Sequence, residues 1–197
     1  MDTEKRAEEI LQIQQKAVLN LKITSEMELA IESCIQTGNK GMNIITSGMG
    51  KAGIIAQKMS ATLCSIGLNS FFIHPAEALH GDIGRINSGD LIIVFSNSGS
   101  TREIILFIEA LDLLNSQSNK IVCITNNPKP QFRTNIVVTY KMIQESCIVP
   151  EVPSTSTTLM LIIADVIAIT AAEKSGLEEK IFRLRHPGGA IGEKYKK

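Results

Sequence analysis

Apolar positions at the start of the chain recur at helical steps. Ala7, Ile10, Leu11, Gln14, Ala17, Val18 and Leu21 fall at intervals of three and four, which places them on one face of an amphipathic helix. A second helix follows, with Ser25 and Glu28 at capping-box spacing and an apolar stripe of Met27, Ala30, Ile31 and Cys34 that ends near Gly38. The chain is therefore expected to open with a helical hairpin over residues 1–38. From Met42 the pattern changes to short apolar runs closed by Gly, Ser, Thr, Asn or Pro, which predict strands at 42–46, 70–73, 91–95, 121–125 and 136–139. The runs are apolar throughout and do not alternate, so they suit a parallel sheet covered on both faces. Helical stretches at 51–66, 101–114 and 155–174 supply the cover. The expected fold is α/β, a doubly wound five-stranded parallel sheet in flavodoxin-like order, whose ligands bind beyond the carboxyl ends of the strands. With no repeat, low-complexity tract or linker, residues 1–197 read as one domain: the hairpin, an α/β core over 39–192 and a tail at 193–197.

Charge narrows the partners. Twenty Lys and Arg balance 20 Asp and Glu, and no basic block is present, which argues against nucleic acid. Hydrophobic residues at 44% and charged residues at 20% are the values of a chain that buries a core. The first 21 residues mix acids with bases and lack an apolar targeting core, so a cytoplasmic location is expected. The most membrane-like segment, 159–172, carries Asp165 and falls short of the roughly 20 residues of a span, so it reads as a buried helix with no membrane partner. Cys34, Cys64, Cys123 and Cys147 form no C-x-x-C pair and read as buried free thiols, with neither disulfide nor metal expected.

The loops after the strands carry the candidate chemistry. Behind the first strand the chain reads Thr46-Ser47-Gly48-Met49-Gly50-Lys51-Ala52-Gly53. A Walker loop needs glycine five positions before Gly50 and a hydroxyl after Lys51, where Ile45 and Ala52 stand. Gly48, Gly50 and Gly53 do satisfy the dinucleotide pattern, but the second strand ends in Phe71-Phe72-Ile73-His74 without the carboxylate that holds a ribose. A tight turn alone accounts for the glycines and leaves Lys51 unexplained. After the third strand, Ser96, Asn97, Ser98, Ser100 and Thr101 place five hydroxyl or amide side chains in six residues at a helix start. Ser100 and Glu103 have capping-box spacing, yet one cap does not require five such groups. A third cluster, Ser154 to Thr158, opens the last long helix. Hydroxyls, backbone N–H groups and helix dipoles bind a phosphate monoester together, so three polar helix starts at one sheet edge point to a phosphate or sugar pocket. His74, His80, Glu145 and His186 lie in loops of the same class, with His74 read as a packed residue.

The segments from Ser47 to Gly53, His74 to Asp82, Ser96 to Glu103 and Arg185 to Gly192 resemble the sugar isomerase (SIS) domain family, and within it the D-arabinose-5-phosphate isomerases. The resemblance implies reversible conversion of D-ribulose 5-phosphate to D-arabinose 5-phosphate, which feeds Kdo and lipopolysaccharide or capsule synthesis. It implies no cofactor, a homotetramer with active sites near subunit interfaces, and a chain without the regulatory CBS pair of many members. Lys51, His80, Glu103, Glu145 and His186 match the family's catalytic positions, and Ser47, Gly48, Ser96, Asn97, Ser98, Thr101 and Ser154 or Thr155 its phosphate-binding loops. Within an enediolate mechanism, Lys51 would offset developing charge. Glu145 is the first choice for the proton-transfer base and His186 the second. His80 and Glu103 would serve hydroxyl protons, and either histidine is open to supply from a neighbouring subunit. Two alternatives stand beside this one: a SIS-type module that senses a sugar phosphate for a regulator, and another SIS sugar-phosphate isomerase.

Overall fold

The computed structural model describes residues 2–115, 117–142 and 144–194; of the expected tail, positions 195–197 lie outside the described residues. Two helices come first, α1 (Thr3–Leu19) and α2 (Ser25–Asn39). The alternating core follows as β1 (Ile44–Gly48), α3 (Gly50–Ser65), β2 (Ser70–Phe72), the short α4 (Pro75–Ala78) and a 3-10 turn at Asp82–Arg85. It continues through β3 (Leu91–Phe95), α5 (Arg102–Asn115), β4 (Lys120–Thr125) and β5 (Ile136–Thr139) to α6 (Thr155–Lys174), α7 (Glu179–Arg185) and α8 (Gly189–Lys194). The sheet is parallel throughout, in the order β2-β1-β3-β4-β5. The doubly wound, flavodoxin-like order expected from the unbroken apolar runs is therefore the one observed.

Side chains along a strand point alternately to opposite faces, and each face here has its own layer. Ile44, Ile93 and Phe95 join the α2, α3 and α6 side with Met27, Met59 and Ile163, while Ile45, Ile92 and Val94 join the α5 side with Phe107 and Leu111. That double burial explains why these strands show no polar alternation. α6 is apolar all round, with a mean hydropathy of 1.8 over a helix of 20 residues, long and apolar enough to cross a membrane. It instead lies against α2 and α3 as a core helix, with Asp165 paired to Lys58 on α3.

Several local expectations are corrected. The α2 cap is Thr24, whose Oγ1 accepts from the Met27 N–H at 3.3 Å, so the box expected at Ser25 starts one residue too late. β1 starts at Ile44 because Met42 N–H is drawn to the Thr37 carbonyl (3.1 Å) and Asn43 N–H to Asp90 (2.9 Å). Cys34 and Cys123 are buried thiols that burial pushes up to about 12, but Cys64 is exposed and Cys147 half-buried. Cys64 follows Leu63 on α3, one step beyond the buried positions Ala56, Met59, Ser60 and Leu63. The helices at 75–78, 179–185 and 189–194 are too short to have shown a period.

Asp90 closes the sheet at the end remote from the loops that carry chemistry. It is 1% exposed and accepts from Asn43 N–H at 2.9 Å and Asn87 N–H at 2.8 Å, while its carbonyl accepts from Asn119 at 2.9 Å. Asp90→Ala strands two donors, at about 1–3 kcal/mol each, so urea unfolding is expected to show a loss of about 2–6 kcal/mol. A loss under about 0.5 kcal/mol, the size of an ordinary surface change, would deny Asp90 this role.

Candidate functional site

The strand-to-helix turn after β1 is as tight as a chain permits. Gly50 adopts φ +55°, and a Cβ at Gly53 would lie 2.5 Å from the Gly48 carbonyl oxygen, so only glycine lets α3 start this close to the strand. The turn delivers Lys51, exposed, to the rim of a cavity of about 420 Å³ at the carboxyl ends of β1 and β3. Met49, Gly50 and Lys51 form one wall, Ser96, Asn97, Ser98 and Thr101 the second, and Pro153, Ser156, Thr157 and Met160 the third. The three polar helix starts expected to converge do so.

The second wall is a loop folded on its own hydroxyls. Ser96 is buried, and its Oγ accepts from Gly99 N–H at 3.1 Å and pairs with Thr101 Oγ1 at 2.9 Å. Gly99 has φ +63°, which lets the loop turn at that point. Asn97 Oδ1 accepts from the Tyr140 hydroxyl at 2.9 Å, which leaves its amide hydrogens as the group it offers the cavity. Burial, then the Glu145 charge, raises the Tyr140 phenol, so that hydroxyl stays a donor.

The third wall is set by Glu145. Its Oε2 accepts from Ser154 N–H at 2.8 Å, Ser154 Oγ at 3.0 Å and Ser156 N–H at 3.1 Å, so the carboxylate caps the start of α6. Burial raises its pKa, but the donors of Ser156 and Ser154 outweigh burial and hold the group below the usual carboxylate range. Ser156 itself is 1% exposed; its hydroxyl forms no hydrogen bond of normal geometry, yet it lies close enough to Glu145 to help lower that carboxylate. Set on the cavity wall, it can turn to a ligand oxygen. Hydroxyls, an amide, helix N-termini and one lysine, with no acid among the lining residues, make a cradle for an anion.

Not every residue singled out in the sequence reaches this cavity. Lys51, Ser96, Asn97, Ser98 and Thr101 line it. Ser47 does not: it is fully buried and donates to the Ile73 carbonyl at 2.8 Å, joining β1 to the end of β2. Gly48 sits under the turn as a packing position, where a Cβ would press on the α3 backbone at 3.0 Å. Ser154 and Thr155 are turned away, Ser154 Oγ to Glu145 and Thr155 Oγ1 to Ser146 Oγ at 2.8 Å. The residues facing the cavity are Ser156 and Thr157, with Met160 one turn on, a helical register that a run of five hydroxyls conceals. Glu145 anchors that wall and does not line the cavity. Glu103 is half-buried on the first turn of α5, His80 is exposed between α4 and the 3-10 turn, and His186 follows α7; none of the three lines the cavity of its own chain.

The SIS domain family matches residues 39–170. A protein of Bacteroides fragilis NCTC 9343, provisionally named a phosphosugar isomerase involved in capsule formation, is 34% identical; the alignment covers 95% of this chain and 99% of that one, with a TM-score of 0.91. An Escherichia coli CFT073 protein solved in complex with arabinose 5-phosphate is 29% identical over 95% of this chain and 100% of that one, with a TM-score of 0.84. The Salmonella typhi arabinose 5-phosphate isomerase KdsD is 34% identical over 98% of this chain, which spans 58% of that protein's length.

Glu145→Gln keeps the shape of the α6 cap and removes its charge. At pH 7 it is expected to lower stability by about 1 kcal/mol, the value of one cap interaction, a modest loss because the carboxylate is partly solvated. A depressed carboxylate stabilises fully above its unfolded value of about 4.3, and the contribution is lost as pH falls through the lower folded value. The stability gap between wild type and variant should therefore close in acid. Urea midpoints at neutral pH and below about pH 3 measure it; a gap that persists unchanged would remove the charge from the explanation.

Proposed function

The chain belongs to the SIS domain family, and on that premise we propose that it is an aldose-ketose isomerase that interconverts D-ribulose 5-phosphate and D-arabinose 5-phosphate through an enediolate. The observation that carries the reading is the cavity whose three donor walls, Ser156 among them, make a seat for a phosphate. The substrate is supported by the arabinose 5-phosphate held in the E. coli relative and by the activity named for the Salmonella protein. The reading includes a cytoplasmic homotetramer that supplies Kdo and through it lipopolysaccharide or capsule.

Phosphate in this seat fixes the sugar so that C1 and C2 lie toward the open rim, and that positioning replaces a large part of the entropic cost of reaction. Lys51 on the rim stabilises the enediolate oxygen or offsets the phosphate charge. Glu145, ionised and committed to α6, is better suited to anchoring than to taking the proton. His186 is better suited. Its Nδ1 lies 2.8 Å from the Phe182 carbonyl, which can only accept, so Nδ1 carries the hydrogen; in the neutral imidazole Nε2 then keeps the free lone pair. The ring stacks on Phe182 at 4.0 Å, which fixes its orientation. Because His186 and His80 stand outside their own chain's cavity, the reading has them enter a neighbouring subunit's site, with Glu103 orienting a hydroxyl.

Purified protein incubated with D-ribulose 5-phosphate in deuterated water is expected to yield D-arabinose 5-phosphate with solvent label at C1 or C2, seen by NMR. Unlabelled product would mean hydride transfer; binding of the sugar phosphate without turnover would make the domain a sensor. His186→Asn should lower kcat by about 10²–10⁴. Ser156→Ala should raise KM about tenfold with kcat little changed, the mark of a lost ground-state contact. A fully active His186→Asn variant would return the proton transfer to Glu145 or His80.

A further inference from the structure

We propose that Arg6, on the first turns of α1, is a positioning residue for the third wall of the cavity, and that it sets the register in which α6 presents Ser156 and Thr157. Beyond Tyr140 and Met142, which pack on the core, the segment between β5 and α6 has little apolar anchorage: Ile148 is 85% exposed, Val149 50% and Val152 40%. What fixes it is polar and concentrated at its two ends. Ser146 N–H donates to Ser154 Oγ at 2.9 Å, Ser146 Oγ pairs with Thr155 Oγ1 at 2.8 Å, and Glu145 takes the Ser154 and Ser156 donors. These bonds tie the segment to the start of α6, whose body is packed against α2 and α3. One further bond ties this part of the segment to the start of the chain: Arg6 Nη2 donates to the Ser146 carbonyl at 2.5 Å.

Arg6 is built for that task. Its side chain is 22% exposed, and Nη1 is held by Glu9 at 3.0 Å one turn along α1, so the guanidinium reaches Ser146 in a fixed orientation. Ser146 is 3% exposed, and its carbonyl belongs to the residue directly after Glu145. A movement of that carbonyl therefore moves the carboxylate that receives the α6 donors, and with it the Ser156 hydroxyl. The groups that bear directly on Glu145 are its Ser154 and Ser156 donors, with the Tyr140 phenol nearby; Arg6 acts on it through the Ser146 peptide. The hairpin contributes nothing to the cavity lining; α2 packs on the body of α6, and Arg6 adds a polar link from α1 to the segment that precedes it.

The experiment compares wild type, Arg6→Ala, Arg6→Gln and Arg6→Lys by two readouts. The first is the titration of the Glu145 carboxyl carbon by NMR, which needs no turnover; the second is kcat and KM for D-ribulose 5-phosphate, which alone rests on the isomerase reading. Arg6→Ala is expected to move the Glu145 midpoint up toward the ordinary carboxylate value and to raise KM about tenfold, with kcat changed less. Arg6→Lys, which keeps a charged donor, should recover most of both, and Arg6→Gln should fall between, serving in place of alanine if that variant does not fold. A folded Arg6→Ala or Arg6→Gln protein with a lower Tm but an unmoved Glu145 midpoint and KM would overturn the proposal, since it would reduce Arg6 to a stability contact. A wild type that does not isomerise the sugar while the Glu145 midpoint still moves in the variants would refute the isomerase reading and leave Arg6 in its positioning role.

Discussion

A parallel sheet buried on both faces leaves polar chemistry nowhere to go except the strand ends. Ile44 and Ile45 are adjacent in the chain, yet each is sealed into a different apolar layer, and the same holds for Ile92 and Ile93. Parallel direction then gathers one kind of turn, strand into helix, at one edge. Each such turn ends in a helix start with N–H groups facing outward. The cavity is thus a consequence of the double cover: Lys51, the Ser96 loop and the start of α6 meet because there is no other edge at which a β-to-α turn of this sheet can emerge.

Much of this was legible in the residues. Unbroken apolar runs bounded by Gly, Ser, Thr and Asn gave strands that match at β3 and β5 to the residue, and α6 matched at both ends, because double burial leaves a strong and uniform signal. What was not legible is decided by geometry that similar residues share. Ser154, Thr155, Ser156 and Thr157 are alike in sequence, and only the turn at Ser154, φ −144° and ψ −74°, determines which pair faces the cavity. Ser47 has the composition of a ligand-binding hydroxyl but reaches the Ile73 carbonyl first. Glu145 reads as a catalytic carboxylate, and its position relative to the α6 donors, nine and eleven residues away, cannot be inferred from spacing across an irregular segment.

The hairpin shows a related limit. α1 has no buried residue; of the expected stripe Ile10, Gln14, Ala17 and Val18 are half covered, while Ala7 and Leu11 face outward and Ile13 takes a place on the covered side, as on a helix laid against the outside of the core. Its apolar period announced the helix but not its purpose. Arg6, at the head of that stripe four residues before Ile10, makes a hydrogen bond that spans most of the chain, to Ser146.

The carboxylate at the head of α6 also bears on how long a ligand stays. Three open helix starts facing one small cavity would hold a dianion tightly and let it go slowly. Glu145 has already accepted the Ser154 and Ser156 N–H groups and placed its own negative charge at that pole, so an arriving anion finds hydroxyls there and fewer free N–H groups. The seat is tempered from within: recognition is kept by Ser156 and Thr157, while part of the attraction is cancelled before binding begins. On the proposed isomerase reading a shortened residence suits a site that releases a phosphorylated sugar as readily as it takes one up.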